Sequence, residues 1–196
     1  MRVLNIESSP RGSRSASIAI TSAFLEAYRQ ACPGIIVDRL NVWEEKLPDF
    51  DQEAIGAQYK GINKEPMDQA ETAIWDKIQE LAARFQQADH IVLGVPMWNF
   101  AYPYKLKQLI DLVSQRNMLF TYDGNDYGPL LTTPRAFVVY ARGGTYVVPA
   151  SMFLHLTTAV VNPQRKLAQI VGVQSFVRFG GLFQWIGMRD VNFELS

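Results

Sequence analysis

The segment HIVLGVP, residues 90–96, is a nearly continuous apolar run closed by a proline. A strand with one wet face alternates polar and apolar residues; a run without alternation belongs to a strand covered on both faces. RAFVVYA (135–141) repeats the pattern, and RVLNIE (2–7) and GIIVDRL (34–40) carry the same β-branched bias. Such strands need helices on both sides, which leaves few architectures open.

The intervening segments supply those helices. From Ser15, SASIAITSAFLEAYRQA sets Ile18, Phe24, Leu25 and Tyr28 near helical spacing, and Pro33-Gly34 ends it. In residues 70–89, Ile74, Ile78, Leu81 and Phe85 recur at steps of four, three and four. PYKLKQLIDLVSQ (103–115) turns Leu106, Leu109, Ile110 and Val113 to one side. Residues 43–68 show no period and read as a long loop. Residues 151–161 and 165–187 read as helical, and DVNFEL (190–195) as a last strand. This alternation predicts an α/β fold: a doubly wound, five-stranded parallel sheet matching the flavodoxin-like order, three layers α/β/α, in one domain over 1–196. A chain of 196 residues can bury the core this needs. Ligands of such sheets sit beyond the carboxyl ends of the strands, which selects the loops 8–17, 96–102 and 142–149.

The first loop, SSPRGSRSAS, has no carboxylate from Ser8 to Ser17. Ser9, Ser13, Ser15 and Ser17 offer hydroxyls, Arg11 and Arg14 offer charge, and the following helix offers its N-terminal N–H groups. The set suits a phosphate; a capped helix after a polar turn would use the same serines. Neither a Walker A nor a G-x-G-x-x-G pattern is present, which disfavours ATP, GTP and Rossmann-bound dinucleotides. The second loop follows Pro96 and Met97 with Trp98, Asn99, Phe100 and Tyr102. These aromatic groups fit a flat ligand or a partner subunit, or a hydrophobic cluster under the 43–68 loop. The third loop holds Arg142, Gly143 and Gly144, which suit close backbone approach or a plain turn. A phosphate cradle, an aromatic wall and a glycine pair at one end of the sheet match the parts of FMN.

Composition narrows the function. Lys plus Arg and Asp plus Glu both number 19. A net charge of zero argues against nucleic-acid binding and against an acidic single-electron carrier of the flavodoxin kind, the rival reading. A single cysteine, Cys32, allows no intrachain disulfide and fits a reducing compartment, the cytoplasm. The first residues turn polar too early for a signal peptide, and no run reaches the ~20 apolar residues of a membrane helix. Cys32 reads as an apolar filler, His90 as a strand start, and His155 as a packed or partly exposed helix residue. No protein catalytic residue and no metal site is expected.

SSPRGSRSAS, PMWNF followed by LKQLIDLV, FTY (120–122) with GP (128–129), ARGG, and IGMRDVNFE together resemble the FMN-dependent NADH-azoreductases, within the wider flavodoxin-like NAD(P)H:quinone reductases. The resemblance covers most of the chain. It implies FMN as cofactor, NADH or NADPH as donor, and ping-pong two-electron reduction of quinones and azo compounds, with the flavin carrying the hydride. It implies FMN phosphate at Ser9, Ser15, Ala16 and Ser17. Pro96, Met97, Trp98, Asn99 and Phe100 would lie along the ring and ribityl chain, and Arg142, Gly143 and Gly144 at the pyrimidine edge. It implies a homodimer, with Tyr122 lining the neighbouring subunit's pocket; aromatic residues, 12% of the chain and clustered after the third strand and near the last, point to Phe120, Tyr122 and Trp185 at the interface. The acceptor would meet Trp98, Phe100, Tyr122 and Tyr146. The chain departs from the pattern in three places. Tyr146 stands where the family often has a histidine, residues 147–175 are longer than usual, and the helix that commonly follows the last strand has no counterpart before Ser196.

Overall fold

The computed structural model describes residues 1–99, 101–131 and 135–142, and the backbone of two short strands at 173–175 and 189–190. In chain order the elements are β1 (Arg2–Glu7), α1 (Ala16–Ala31), β2 (Ile36–Asn41), α2 (Gln52–Asn63), α3 (Gln69–Gln86), β3 (His90–Pro96), α4 (Tyr104–Val113), β4 (Phe120–Tyr122), β5 (Tyr127–Pro129), β6 (Arg135–Ala141), β7 (Val173–Ser175) and β8 (Arg189–Asp190).

Four strands run parallel in the order β2-β1-β3-β6. The apolar runs that predicted buried strands occupy the centre: Val3, Leu4, Ile6, Ile91, Val92, Leu93 and Val95 are all buried. Alternate residues serve opposite layers. Leu4, Ile6, Ile91, Leu93 and Val95 join Ile78, Leu81 and Phe85 of α3 and Leu106 and Leu109 of α4. Val3 and Val92 meet Leu25, Phe24 and Tyr28 of α1 on the other face, with Phe137. Each such side chain, fully buried, contributes about 1.5–3 kcal/mol, which is why the strands tolerate no alternation. The expected three-layer, flavodoxin-like sheet is therefore present.

Three parts depart from the sequence reading. Residues 43–68 contain α2, capped by the Asp51 side chain, which accepts from the Ala54 N–H at 3.0 Å. Gly56 and Gly61 dilute its pattern, yet Gly61 is what lets α2 pack on α3: a Cβ there would stand 2.2 Å from the indole of Trp75. Phe120 to Pro129 form an antiparallel hairpin, with the Asp123 carboxylate accepting from the Asn125 and Asp126 N–H groups at 2.8 Å. Within the 165–187 segment read as helix, Val173–Ser175 is instead a strand, antiparallel to the end of β6. The β6 edge offers an unpaired ladder, and a Val-Gly-Val sequence has little helical propensity to set against it. β8 pairs in parallel with the start of β6 at Arg135 and Ala136; of the last strand expected over 190–195, only Asp190 lies within the described residues. The predicted helix 151–161 and the remainder of 165–187 lie outside the described residues.

Candidate active site

Parallel register brings the carboxyl ends of the central strands together: Glu7 lies beside Gly94, and Pro96 beside Ala141. Ser8 leaves β1 pinned to β3, its N–H and its hydroxyl both donating to the Gly94 carbonyl, at 3.1 and 2.7 Å. The chain then turns through a 3-10 segment, Gly12–Arg14, and enters α1 at Ser15, whose hydroxyl accepts weakly from the Ile18 N–H at 3.5 Å. The Ser15 and Ser17 hydroxyls are 3.0 Å apart, and Ser9, Ser15 and Ser17 are buried. Arg11, Arg14 and Ala16 are exposed. The first turn of α1 contains no acidic residue.

Gly94 decides how closely this helix end approaches the sheet. A Cβ at position 94 would meet the Ser17 carbonyl oxygen at 3.3 Å and the Thr21 hydroxyl at 3.4 Å. The run HIVLGVP thus holds a functional spacer in the middle of an apolar strand, a role invisible from its apolar pattern.

Beyond β3, the Met97 N–H donates to the Ala141 carbonyl at 2.8 Å, tying this exit to that of β6. Trp98 and Ala101 exchange backbone hydrogen bonds of 2.8 Å, closing a tight turn. Asn99 takes φ 47° in it, a left-handed conformation that asparagine accepts more readily than most residues. Pro96, Met97 and Trp98 are half-buried and Asn99 is exposed. Burial pushes the Tyr140 phenol up to about 12, against the nearby Arg142 charge, and raises Tyr102 against the opposing charge of Lys107. Both phenols therefore stay neutral at physiological pH. Arg142, half-buried, follows β6 directly.

Sequence reasoning missed Trp43. It stands just past the carboxyl end of β2, and its indole N–H donates to the Ser8 carbonyl at 2.9 Å. Its ring lies 5.8 Å from that of Trp98 and 5.4 Å, edge-on, from that of Tyr104. The carboxyl-end rule that selected the other three loops applied equally to β2.

The structure thus gathers Ser9, Ser15, Ser17, Pro96, Met97, Trp98, Asn99 and Arg142 at one end of the sheet. Phe100, Gly143, Gly144, Tyr146 and Trp185 lie outside the described residues. Tyr122 stands on the β4–β5 hairpin; its ring contacts Tyr127 and Arg116, and its hydroxyl donates to the Gly124 carbonyl at 2.7 Å. Phe120, expected at an interface, is buried in its own chain, whereas Tyr127 is 54% exposed. His90 opens β3 at the opposite end of the sheet, hydrogen-bonded to the Tyr28 hydroxyl at 2.6 Å. Among the described residues, no three His, Cys, Asp or Glu side chains cluster to hold a metal ion, and no helix is long and apolar enough to cross a membrane.

The donor set fits FMN. Three buried hydroxyls and the N–H groups of an acid-free helix start match a phosphate dianion. Trp98 and Asn99, on the adjacent loop, match a flat heterocycle with polar edges.

The profile of a family described as having the flavodoxin-like fold matches residues 1–186. An FMN-dependent NADH:quinone oxidoreductase of Burkholderia lata is 70% identical over 143 residues, 73% of this chain and 69% of that one. A second enzyme of the same description from that organism is 44% identical over 150 residues, 76% of this chain and 71% of its own. The crystal structure of an FMN-dependent NADH-azoreductase from Bacillus anthracis in complex with FMN superposes with a TM-score of 0.68 at 26% identity, covering 75% of this chain and 71% of that one. With the profile spanning nearly the whole chain and a 70% identical relative matched over 69% of its length, this chain belongs to the flavodoxin-like-fold family, among the FMN-dependent NADH:quinone oxidoreductases.

Proposed function

We propose that this protein is an FMN-dependent oxidoreductase that takes two electrons from NADH and delivers them to quinones and azo compounds in ping-pong fashion. The observation that carries this reading is the buried, carboxylate-free serine set at the start of α1, opening onto the same strand ends as the Trp98 turn. The names of the relatives and of the FMN-bound neighbour support it.

FMN, when bound, would supply the two-electron redox chemistry that links NADH to the acceptor. The chain holds and orients. Ser9, Ser15 and Ser17, with the Ala16 backbone at the first turn, would hold the phosphate, and Arg11 and Arg14 would add long-range charge. Pro96, Met97, Trp98, Asn99 and Phe100 would flank the ring and ribityl chain, and Arg142, Gly143 and Gly144 the pyrimidine edge. Trp98, Phe100, Tyr122 and Tyr146 would wall the place where donor and acceptor alternate. We assign residues 1–196 to one such domain, working as a homodimer in the cytoplasm.

The double change Ser15→Ala, Ser17→Ala tests the cradle. Each hydrogen bond to a charged oxygen contributes roughly 1.5–3 kcal/mol, so FMN affinity should fall tens-fold or more, and riboflavin should bind poorly even to the unaltered protein. Flavin titration reads both. Unchanged FMN affinity in the double variant, or riboflavin binding as tightly as FMN, removes the phosphate assignment. A colourless protein with no affinity for added FMN removes the function.

A further inference from the structure

We propose that Trp43 is a positioning residue of this site, setting the serine loop through its N–H and the Trp98 turn through its ring; the proposal rests on the FMN reading above. Three loops meet at this one side chain. Its indole N–H reaches the Ser8 carbonyl, 35 residues away in sequence, at 2.9 Å. Ser8 is fixed from the other side by the Gly94 carbonyl, so the first residue of the serine loop is clamped between β3 and Trp43. The ring plane inclines at 50° to that of Trp98 and stands nearly perpendicular, at 84°, to that of Tyr104, which is 63% exposed. Indole has one donor and no acceptor, so a phenylalanine could replace its packing but not its hold on Ser8.

The turn that carries Trp43 is held by a set of hydrogen bonds. The Trp43 backbone N–H donates to the Asn41 side-chain oxygen at 2.9 Å, and the Glu44 and Glu45 backbone N–H groups donate to the Asn41 carbonyl. The Glu44 carboxylate accepts from Asn41 at 2.9 Å and from Arg39 at 2.8 Å, and Arg39 in turn donates to Glu7, 8% exposed at the end of β1. Charge pairing thus ties the β2 exit to the β1 exit, and Trp43 is the part of that assembly that extends to Trp98. Trp43 also packs against the main hydrophobic core, so the test below separates that packing from its hold on the two loops.

The two halves of the side chain predict separate effects. Trp43→Phe keeps a ring against Trp98 and removes the donor to Ser8. FMN should then dissociate roughly five- to fiftyfold more readily, as expected when a carbonyl in a loop loses its partner, while the ratio of kcat/KM between a bulky and a small quinone stays as in the unaltered protein. Trp43→Ala removes both. At saturating FMN it should also shift that ratio, and Trp43→Phe should restore it. Flavin titration and steady-state kinetics with two quinones, run beside thermal melts, read these effects. Trp43→Phe binding FMN as tightly as the unaltered protein overturns the loop-fixing role. Trp43→Ala lowering both quinones by one factor overturns the role at Trp98. If the unaltered protein binds FMN and Ser15→Ala, Ser17→Ala weakens it, those failures belong to Trp43 alone; if it binds none, both readings fall.

Discussion

A missing side chain shapes this site as much as the ones present. Gly94 leaves just enough room for the first turn of α1 to rest on β3, and its neighbours Ser17 and Thr21 are fully buried. Gly94→Ala would force the Ser17 carbonyl to move by a few tenths of an ångström. The expected result is a loss of about 1–2 kcal/mol in denaturant unfolding and several-fold weaker FMN. Equal stability and affinity in the variant would show that the helix start has slack. The serines were readable from sequence because hydroxyls and arginines announce their chemistry by type and by absence of carboxylates. Gly94 and Trp43 were not, since an apolar strand and a tryptophan have many common uses and only the neighbours across space give these two theirs.

At the scale of elements, β1, β2, β3 and β6 and the helices α1, α3 and α4 followed from periodicity because burial imposes it. α2 escaped because two glycines and a mixed polar face erase its period, and the β4–β5 hairpin because three-residue strands carry too little pattern. What secures α3 to the sheet is electrostatic as well as apolar. Arg84 donates to the Asp38 carboxylate of β2 at 2.6 and 3.1 Å and to Glu45 at 3.1 Å, and Arg2 adds a contact to Asp38 at 3.2 Å. Burial raises the Asp38 carboxyl, but the Arg84 and Arg2 hydrogen bonds and charges outweigh it, leaving it below its ordinary value of 3.8. A carboxyl depressed in the folded state stabilises above its unfolded value and loses that stabilisation as pH falls through the folded one. Thermal midpoints should therefore decline below about pH 4, and less steeply in Asp38→Asn. Parallel acid profiles for the two proteins would place the acid sensitivity elsewhere.

For the molecule as a whole, the order β2-β1-β3-β6 fixes where a ligand can sit, and the hairpin fixes which aromatic groups face outward. Tyr122 and Tyr127 lie with ring centroids 4.6 Å apart and planes inclined at 31° on that hairpin, and Tyr127 is largely exposed. If this surface joins two copies, sedimentation at micromolar concentration should report twice the chain mass, and Tyr127→Glu should shift it toward the monomer. A monomer that keeps flavin and full activity would remove the second subunit from the site. Elsewhere, the close approach of Gly61 to Trp75 has a consequence for descent rather than for catalysis. The two positions cannot drift independently: a lineage that gains a methyl group at 61 must first, or at once, give up the indole at 75. Sequences related by common ancestry should show the pair changing together. In the laboratory, Gly61→Ala should be severe beside tryptophan and mild beside Trp75→Leu, a non-additivity that a double-mutant cycle measures directly.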